Sequence, residues 1–172
     1  MQKGIGLFMI LAGCSGLGLW YSGQFQKQFA TLQAFCSMLE LYLGQIRFGR
    51  YSLPECCLQL AERVQEPYGK IFGDIYEEAC ANSGESFGSI CERYLTEGLK
   101  TAVCQKKDKE IFVSCFSKGG FEEDVQQLRY IEQAKAELED RLARTAGENA
   151  SKCRLALSLG TMGGLLLVLL FI

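Results

Sequence analysis

The chain of 172 residues has no histidine, only two prolines, and nine cysteines among which no C-x-x-C pair occurs. Without histidine, His-based general base catalysis, Ser-His or Cys-His nucleophiles and most zinc enzymes are excluded. The cysteine number is odd and C-x-x-C spacing is absent, so a disulfide framework is not expected and zinc is poorly served. No block of basic residues stands out, since 18 Lys and Arg are set against 20 Asp and Glu, and an electrostatic footprint for nucleic acid is therefore missing. The glycines nowhere approach G-x-x-x-x-G-K-S/T, which rules out a phosphate-cradling loop of that kind. The acidic clusters Glu77-Glu78 and Glu122-Glu123-Asp124 suit a solvated helix face or a helix start better than catalysis. No cofactor or metal is expected, and the chain reads as no enzyme.

What is present is an uneven distribution of charge. Segments 4–26 and 155–172 carry no charged side chain, so all 38 charges fall in the other 131 positions. Each segment matches the roughly 17–25 apolar residues that cross a bilayer as helix, and the absence of a third such stretch excludes a polytopic transporter. The expected organisation is an N-terminal transmembrane helix over 1–26, a cytoplasmic helical bundle over 27–154 and a C-terminal transmembrane helix over 155–172. Trp20 and Tyr21 sit where an interfacial aromatic belt belongs. Lys27 follows the first span, and Arg141, Arg144, Lys152 and Arg154 precede the second, against Lys3 alone outside. The positive-inside rule then puts the middle domain in the cytoplasm. Reduced, buried thiols suit the same compartment. Spacings of 11 between Cys80 and Cys91, and between Cys104 and Cys115, are three helical turns, as expected of small apolar groups on helix faces. A thiol-based metal or redox protein is the minor alternative.

The middle of the chain reads as all-α, a bundle of about six helices. Phe25, Phe29, Leu32, Cys36, Leu39, Leu43 and Ile46 alternate by four and three, a heptad stripe over three repeats. It suits an intramolecular bundle contact or, less well, a two-chain coiled coil. Ser52 caps a second helix, with Glu55 reaching back to its amide and Pro54 tolerated in the first turn. Cys56, Cys57, Leu60 and Val64 are its buried stripe, and it stops near Glu66-Pro67. Ile71, Phe72, Ile75, Tyr76, Ala79 and Cys80 mark a third helix. Ser86 caps a fourth, with Phe87, Ile90, Cys91, Tyr94 and Leu95 along one side. Ile111, Phe112, Cys115 and Phe116 mark a short fifth, ended by Gly119-Gly120. Val125, Leu128, Ile131, Leu138 and Leu142 make a thin stripe on a long last helix, with Glu137 and Arg141 paired at i, i+4.

Two features suit contacts with other chains or within this one. Gly160 and Gly164 form G-x-x-x-G, and Ala12 and Gly16 a looser small-residue face, permitting close helix approach in a membrane. Packing between the two spans of one chain and packing between chains are both open. Arg47 and Arg50, beside a turn, are solvated loop charges in the simpler reading and a partner-docking pair in the other. A rival reading of the N-terminus is a surface lipoprotein acting as a binding module. Leu11-Ala12-Gly13-Cys14 resembles a lipobox, with Cys14 acylated, although Leu17, Leu19, Trp20 and Tyr21 continue the apolar run instead of a polar tether.

The stretch SKCRLALSLGTMGGLLLVLLFI at 151–172, IRFGRYSLPECCLQLAE at 46–62 and QLRYIEQAKAELED at 127–140 resemble the stage III sporulation protein AB family, and the likeness covers nearly the whole chain. The resemblance implies a non-enzymatic platform or scaffold subunit of the secretion-like channel that endospore formers build between mother cell and forespore. It implies a cytoplasmic domain like that of the type II secretion inner-membrane platform protein. The implied partners are the ATPase stage III sporulation protein AA and the other membrane proteins of the same complex, in the mother-cell-side membrane, with oligomerisation left open. The chain departs from the family in its many cysteines and in its Gly119-Gly120 turn.

Overall fold

The computed structural model describes residues 2–49, 51–81, 84–118 and 126–147, with side chains throughout except at 2–22 and 49. Among the described residues the chain is all-helical. α1 (Gln2–Gly44) is one continuous helix of 43 residues, about 65 Å long at 1.5 Å per residue. A single π-helical turn, Gln45–Gly49, ends it. Then come α2 (Leu53–Arg63), α3 (Tyr68–Cys80), α4 (Phe87–Gly98) with a short 3-10 turn at Leu99–Thr101, and α5 (Lys106–Ser117). α6 runs over 126–147. Six helices agree with the sequence pattern.

Local signals set the helix starts. The Glu55 carboxylate reaches back to accept from the Ser52 amide and the Ser52 hydroxyl, both at 2.8 Å, and Pro54 occupies the first turn of α2. The Ser86 hydroxyl accepts from the Ser89 amide at 3.3 Å, capping α4 as expected. Just past α4, the Leu99 carbonyl accepts from the Ala102 amide at 3.2 Å and from the Lys109 ammonium of α5 at 2.7 Å, which ties the end of α4 to the start of α5.

Consecutive helices pack on one another, α2 on α3, α3 on α4 and α4 on α5. Through their midst passes α1, whose Leu32, Phe35, Met38, Leu39 and Tyr42 are fully buried. The heptad stripe therefore marks only part of a wider buried face. Leu32, Cys36 and Leu39 are buried as the stripe predicts, whereas Phe25, Phe29, Leu43 and Ile46 are half-buried. Aromatic rings join the layers. Phe35 stacks on Phe112 at 4.2 Å between centroids, Tyr42 meets Phe116 at 4.6 Å, and Phe72 meets Phe116 at 5.2 Å. Such pairs add about 0.5–1.5 kcal/mol each beyond burial.

α6 closes the bundle against α1 and α5 through both polar and apolar contacts. The Arg141 guanidinium donates to Asp108 of α5 at 2.6 Å and to Glu137 at 3.0 Å, Ser114 and Tyr130 share a hydrogen bond of 2.7 Å, and Lys135 lies 3.7 Å from Glu40 of α1. Ile131, Ala134 and Leu138 are the buried apolar residues of α6. The Glu137–Arg141 pair is the one expected from i, i+4 spacing; the Asp108 contact is not visible in the sequence.

Five of the cysteines, Cys36, Cys56, Cys57, Cys91 and Cys115, are buried and free, in agreement with their use as small core groups. Cys80 is a correction. It is exposed and Cys104 is half-buried, because α3 turns its Ile71, Phe72 and Ile75 inward and nine residues at 100° each carry position 80 to the side opposite Ile71. Cys14 and Cys153 lie outside the described side chains, as do the Gly119-Gly120 turn and Val125. Among the described residues no helix is long and apolar enough to cross a membrane; the apolar segments 4–22 and 155–172 lie outside the described side chains.

Candidate interaction surface

Where α1 gives way to α2, a turn of π-helix places an extra residue in the ring of hydrogen bonds and rotates the residues after it off the preceding stripe. Gln45 stays buried and Ile46 half-buried, while Phe48 is turned out and 82% exposed. Tyr51 is 49% exposed just beyond it, and Val103 is the other exposed large apolar residue among the described residues. Two exposed aromatic rings within four residues, next to an arginine, match the residue types enriched where proteins meet. Sequence reading passed over Phe48 and Tyr51. The available signal was that both fall off the heptad stripe at a break in helical pattern.

Arg47 sits on this turn and forms an ion pair with Glu132 of α6, both side chains about half exposed. The pair ties the tip to the last helix, although an exposed pair contributes at most about 1 kcal/mol. Beneath the tip, the Ser52 amide holds the Glu55 carboxyl below its ordinary value, the Ser52 hydroxyl adding to the effect. Arg50, Gly160 and Gly164 lie outside the described residues, and Ala12 and Gly16 outside the described side chains, so only Arg47 of the sequence-derived contact residues is seen in place.

The interior is chemically quiet. Burial pushes the Cys36, Cys56 and Cys104 thiols up to about 11 and Cys115 up to about 12. Cys57 is raised further by its hydrogen bond with Cys91 across α2 and α4, and next by burial. Thiols held protonated at neutral pH are poor nucleophiles and poor metal ligands. Among the described residues no group of three or more cysteines and carboxylates is placed to hold a metal ion. Of the acidic pair on α3, Glu78 accepts from the Tyr94 hydroxyl at 3.4 Å and faces Arg93 at 3.7 Å, a structural tie to α4. The Glu122-Asp124 cluster lies outside the described residues.

Fold and surface together define, among the described residues, an all-α bundle whose polar clusters brace helices against one another and whose tip at Phe48 and Tyr51 faces outward. A family model described as stage III sporulation protein AB (spore_III_AB) matches residues 3–172, and the chain belongs to that family. A solved structure of stage III sporulation protein AB (SpoIIIAB) is similar to it at 18% identity and a TM-score of 0.64, covering 72% of this chain and 97% of that one. At that identity the likeness shows the fold alone. No curated protein matches the chain. Family membership assigns a role in sporulation, and nothing in the comparisons supports the lipoprotein reading of Cys14.

Proposed function

We propose that the chain is a non-enzymatic platform subunit of the secretion-like channel between mother cell and forespore. Segments 1–26 and 155–172 anchor it in the mother-cell-side membrane, with 27–154 in the cytoplasm, where the bundle docks the ATPase stage III sporulation protein AA. Positive charges at Lys27, Arg141, Arg144, Lys152 and Arg154 support that orientation. The observation that carries the docking reading is the tip, in which Phe48 stands exposed beside Arg47 and Tyr51. α1 sets this tip away from the bilayer, since 27–44 as helix spans about 27 Å. A protein partner is thus within its reach and lipid is not.

Deletion in a spore former tests the role, and normal sporulation would sink it. For the docking face, the measurement is co-purification of the ATPase with the full chain. Phe48→Asp is expected to reduce recovery at least about tenfold, the factor that loss of 1.4 kcal/mol produces, and charge reversal at Arg47 and Arg50 to weaken it less. Undiminished recovery with Phe48→Asp would move the contact elsewhere on the bundle.

A further inference from the structure

The contacts between α1 and α6 set a register that extends past the bundle. Glu40 lies level with Lys135, and the Cys36 thiol feels the Glu139 carboxylate most strongly among the charges near it. Rising numbers on α1 thus meet falling numbers on α6. The helices are antiparallel, and the numbers of level residues total 175. Arg47, with its long side chain, reaches about one turn further, to Glu132.

The described part of α6 stops at 147, level with Gln28 of α1. α1 does not stop there. It continues as one helix to Gln2, a further 26 residues or about 39 Å. Residues 148–172 contain no proline, so nothing in them forbids α6 from running on. Carried forward, the register sets Glu148 level with Lys27, opposite in charge. It sets the uncharged segment 155–172 level with 3–20, within the uncharged segment 4–26 except at Lys3. Lys152 and Arg154 fall level with Gly23 and Tyr21, at the end of the first apolar segment that faces the bundle. Continued in this way, contacts made entirely inside the bundle would bring two apolar segments far apart in sequence to one level.

We infer that residues 155–172 dock antiparallel along residues 3–20 of the same chain, making one helical hairpin continuous with the α1–α6 pair of the bundle. The occupant beside the length of α1 that extends past the described end of α6 is therefore the chain's own last segment. The inference rests on the membrane reading of both segments. In lipid, apolar burial gives no preference for one helix over another, and association depends on close backbone approach. Gly160 and Gly164 come level with Ser15 and Leu11, each one position from Gly16 and Ala12, so small residues are found where the hairpin needs them. A helix pair already side by side at Glu40 and Lys135 also holds the two segments at high effective concentration, which favours the intrachain contact over one between copies.

The register names its own test. Cys14 and Thr161 total 175, and each lies 22 residues from the Cys36–Glu139 level, about six turns, which returns both to the faces that meet there. The full chain carrying Thr161→Cys is oxidised in native membranes with copper-phenanthroline, which takes the two electrons while both thiols lose their protons. The expected product is a disulfide within one chain, at monomer mass, reversed by reductant and abolished by Cys14→Ser. It should exceed that of Val168→Cys, level with Leu7, at least tenfold. A crosslink joining two differently tagged copies would overturn the inference in favour of a second copy as the occupant. Absence of crosslinking in a chain that resists alkaline carbonate extraction would overturn the hairpin alone, and extraction of the chain by carbonate would overturn the membrane reading with it.

Discussion

Replacing Arg141 by Met should loosen α6 from the bundle, and its cost can be worked from one contact. The Asp108 side chain is only 2% exposed and sits 2.6 Å from the Arg141 guanidinium, which is 22% exposed. Removing one partner of a buried pair costs about 3–5 kcal/mol, because the other charge is left uncompensated away from water. Two features reduce that here. Arg141 is partly solvated, and Asp108 lies in the first turn of α5, where the helix N-terminus favours a carboxylate by up to about 1 kcal/mol. The expected loss is about 2–3 kcal/mol, which for a domain of this size lowers the melting temperature by roughly 10 °C. Glu137, Arg141's other partner at 3.0 Å, is an exposed i, i+4 pair contributing about 0.3–0.5 kcal/mol, so Glu137→Gln should be nearly silent. The double variant Asp108→Leu/Arg141→Met removes both charges and should recover most of the loss. Near-UV circular dichroism melts of the detergent-solubilised chain give the magnitudes, and hydrogen exchange over 126–147 gives the location. If Arg141→Met costs under about 0.5 kcal/mol, or the two single losses simply add in the double variant, the pair is not what clasps α5 to α6.

Tyr42 is fully buried and its hydroxyl has no hydrogen-bond partner among the described residues; since an unsatisfied buried hydroxyl costs about 1–3 kcal/mol, Tyr42→Phe should leave the melting temperature unchanged or raise it, and a fall of more than about 1 kcal/mol would show that the hydroxyl is bonded. Gly69 and Gly73 should respond in opposite directions to alanine in thermal melts. A Cβ at Gly69 would stand 2.9 Å from the Val64 carbonyl oxygen and 3.0 Å from that of Ala61, backbone atoms that cannot swing away, whereas at Gly73 it would meet the Ala61 Cβ at 4.0 Å. Overpacking costs about 1–3 kcal/mol, against the gain of up to about 1 kcal/mol from Gly to Ala in a helix, so Gly69→Ala should destabilise and Gly73→Ala stabilise. The Glu55 carboxyl is held below its ordinary value of 4.5, first by the Ser52 amide and then by the Ser52 hydroxyl. A depressed carboxyl contributes its stability above the unfolded value and loses it as pH falls through the folded one. Ser52→Ala removes the hydroxyl and should move the Glu55 titration upward in NMR, and no movement would mean that the amide alone sets it.

Element boundaries were legible in the sequence because they depend on residues a few positions apart. Ser52 with Glu55, Ser86 with Ser89, and the stop before Pro67 are contacts within one or two turns, and the local chain decides them whatever lies across the bundle. The inward faces of α2 to α5 were legible for a related reason, since helical period alone brings Ile71, Phe72 and Ile75 to one side. The same period, applied to α1, picked a single stripe where the structure buries a broader face, because a central helix has neighbours on more than one side. Phe35 and Tyr42 owe their burial to Phe112 and Phe116, which no spacing within α1 reveals. Cys80 went the other way, apolar by type but placed on the flank that nothing covers.

The tip and the clasp depended on tertiary structure in a stronger sense. Phe48 stands exposed on the π-turn that ends α1, off the buried face, and Arg47 meets Glu132 across 85 positions of sequence. Asp108 looks like an ordinary first-turn acid until folding brings Arg141 to it from 33 residues away. The sequence by itself determined the class, an all-α domain between two apolar segments with no histidine and hence no imidazole chemistry, because composition and period are properties of the chain. Only the fold decided which charges are buried, which aromatic rings face out and how α1 and α6 are registered, because burial and register depend on which distant residues arrive at the same place.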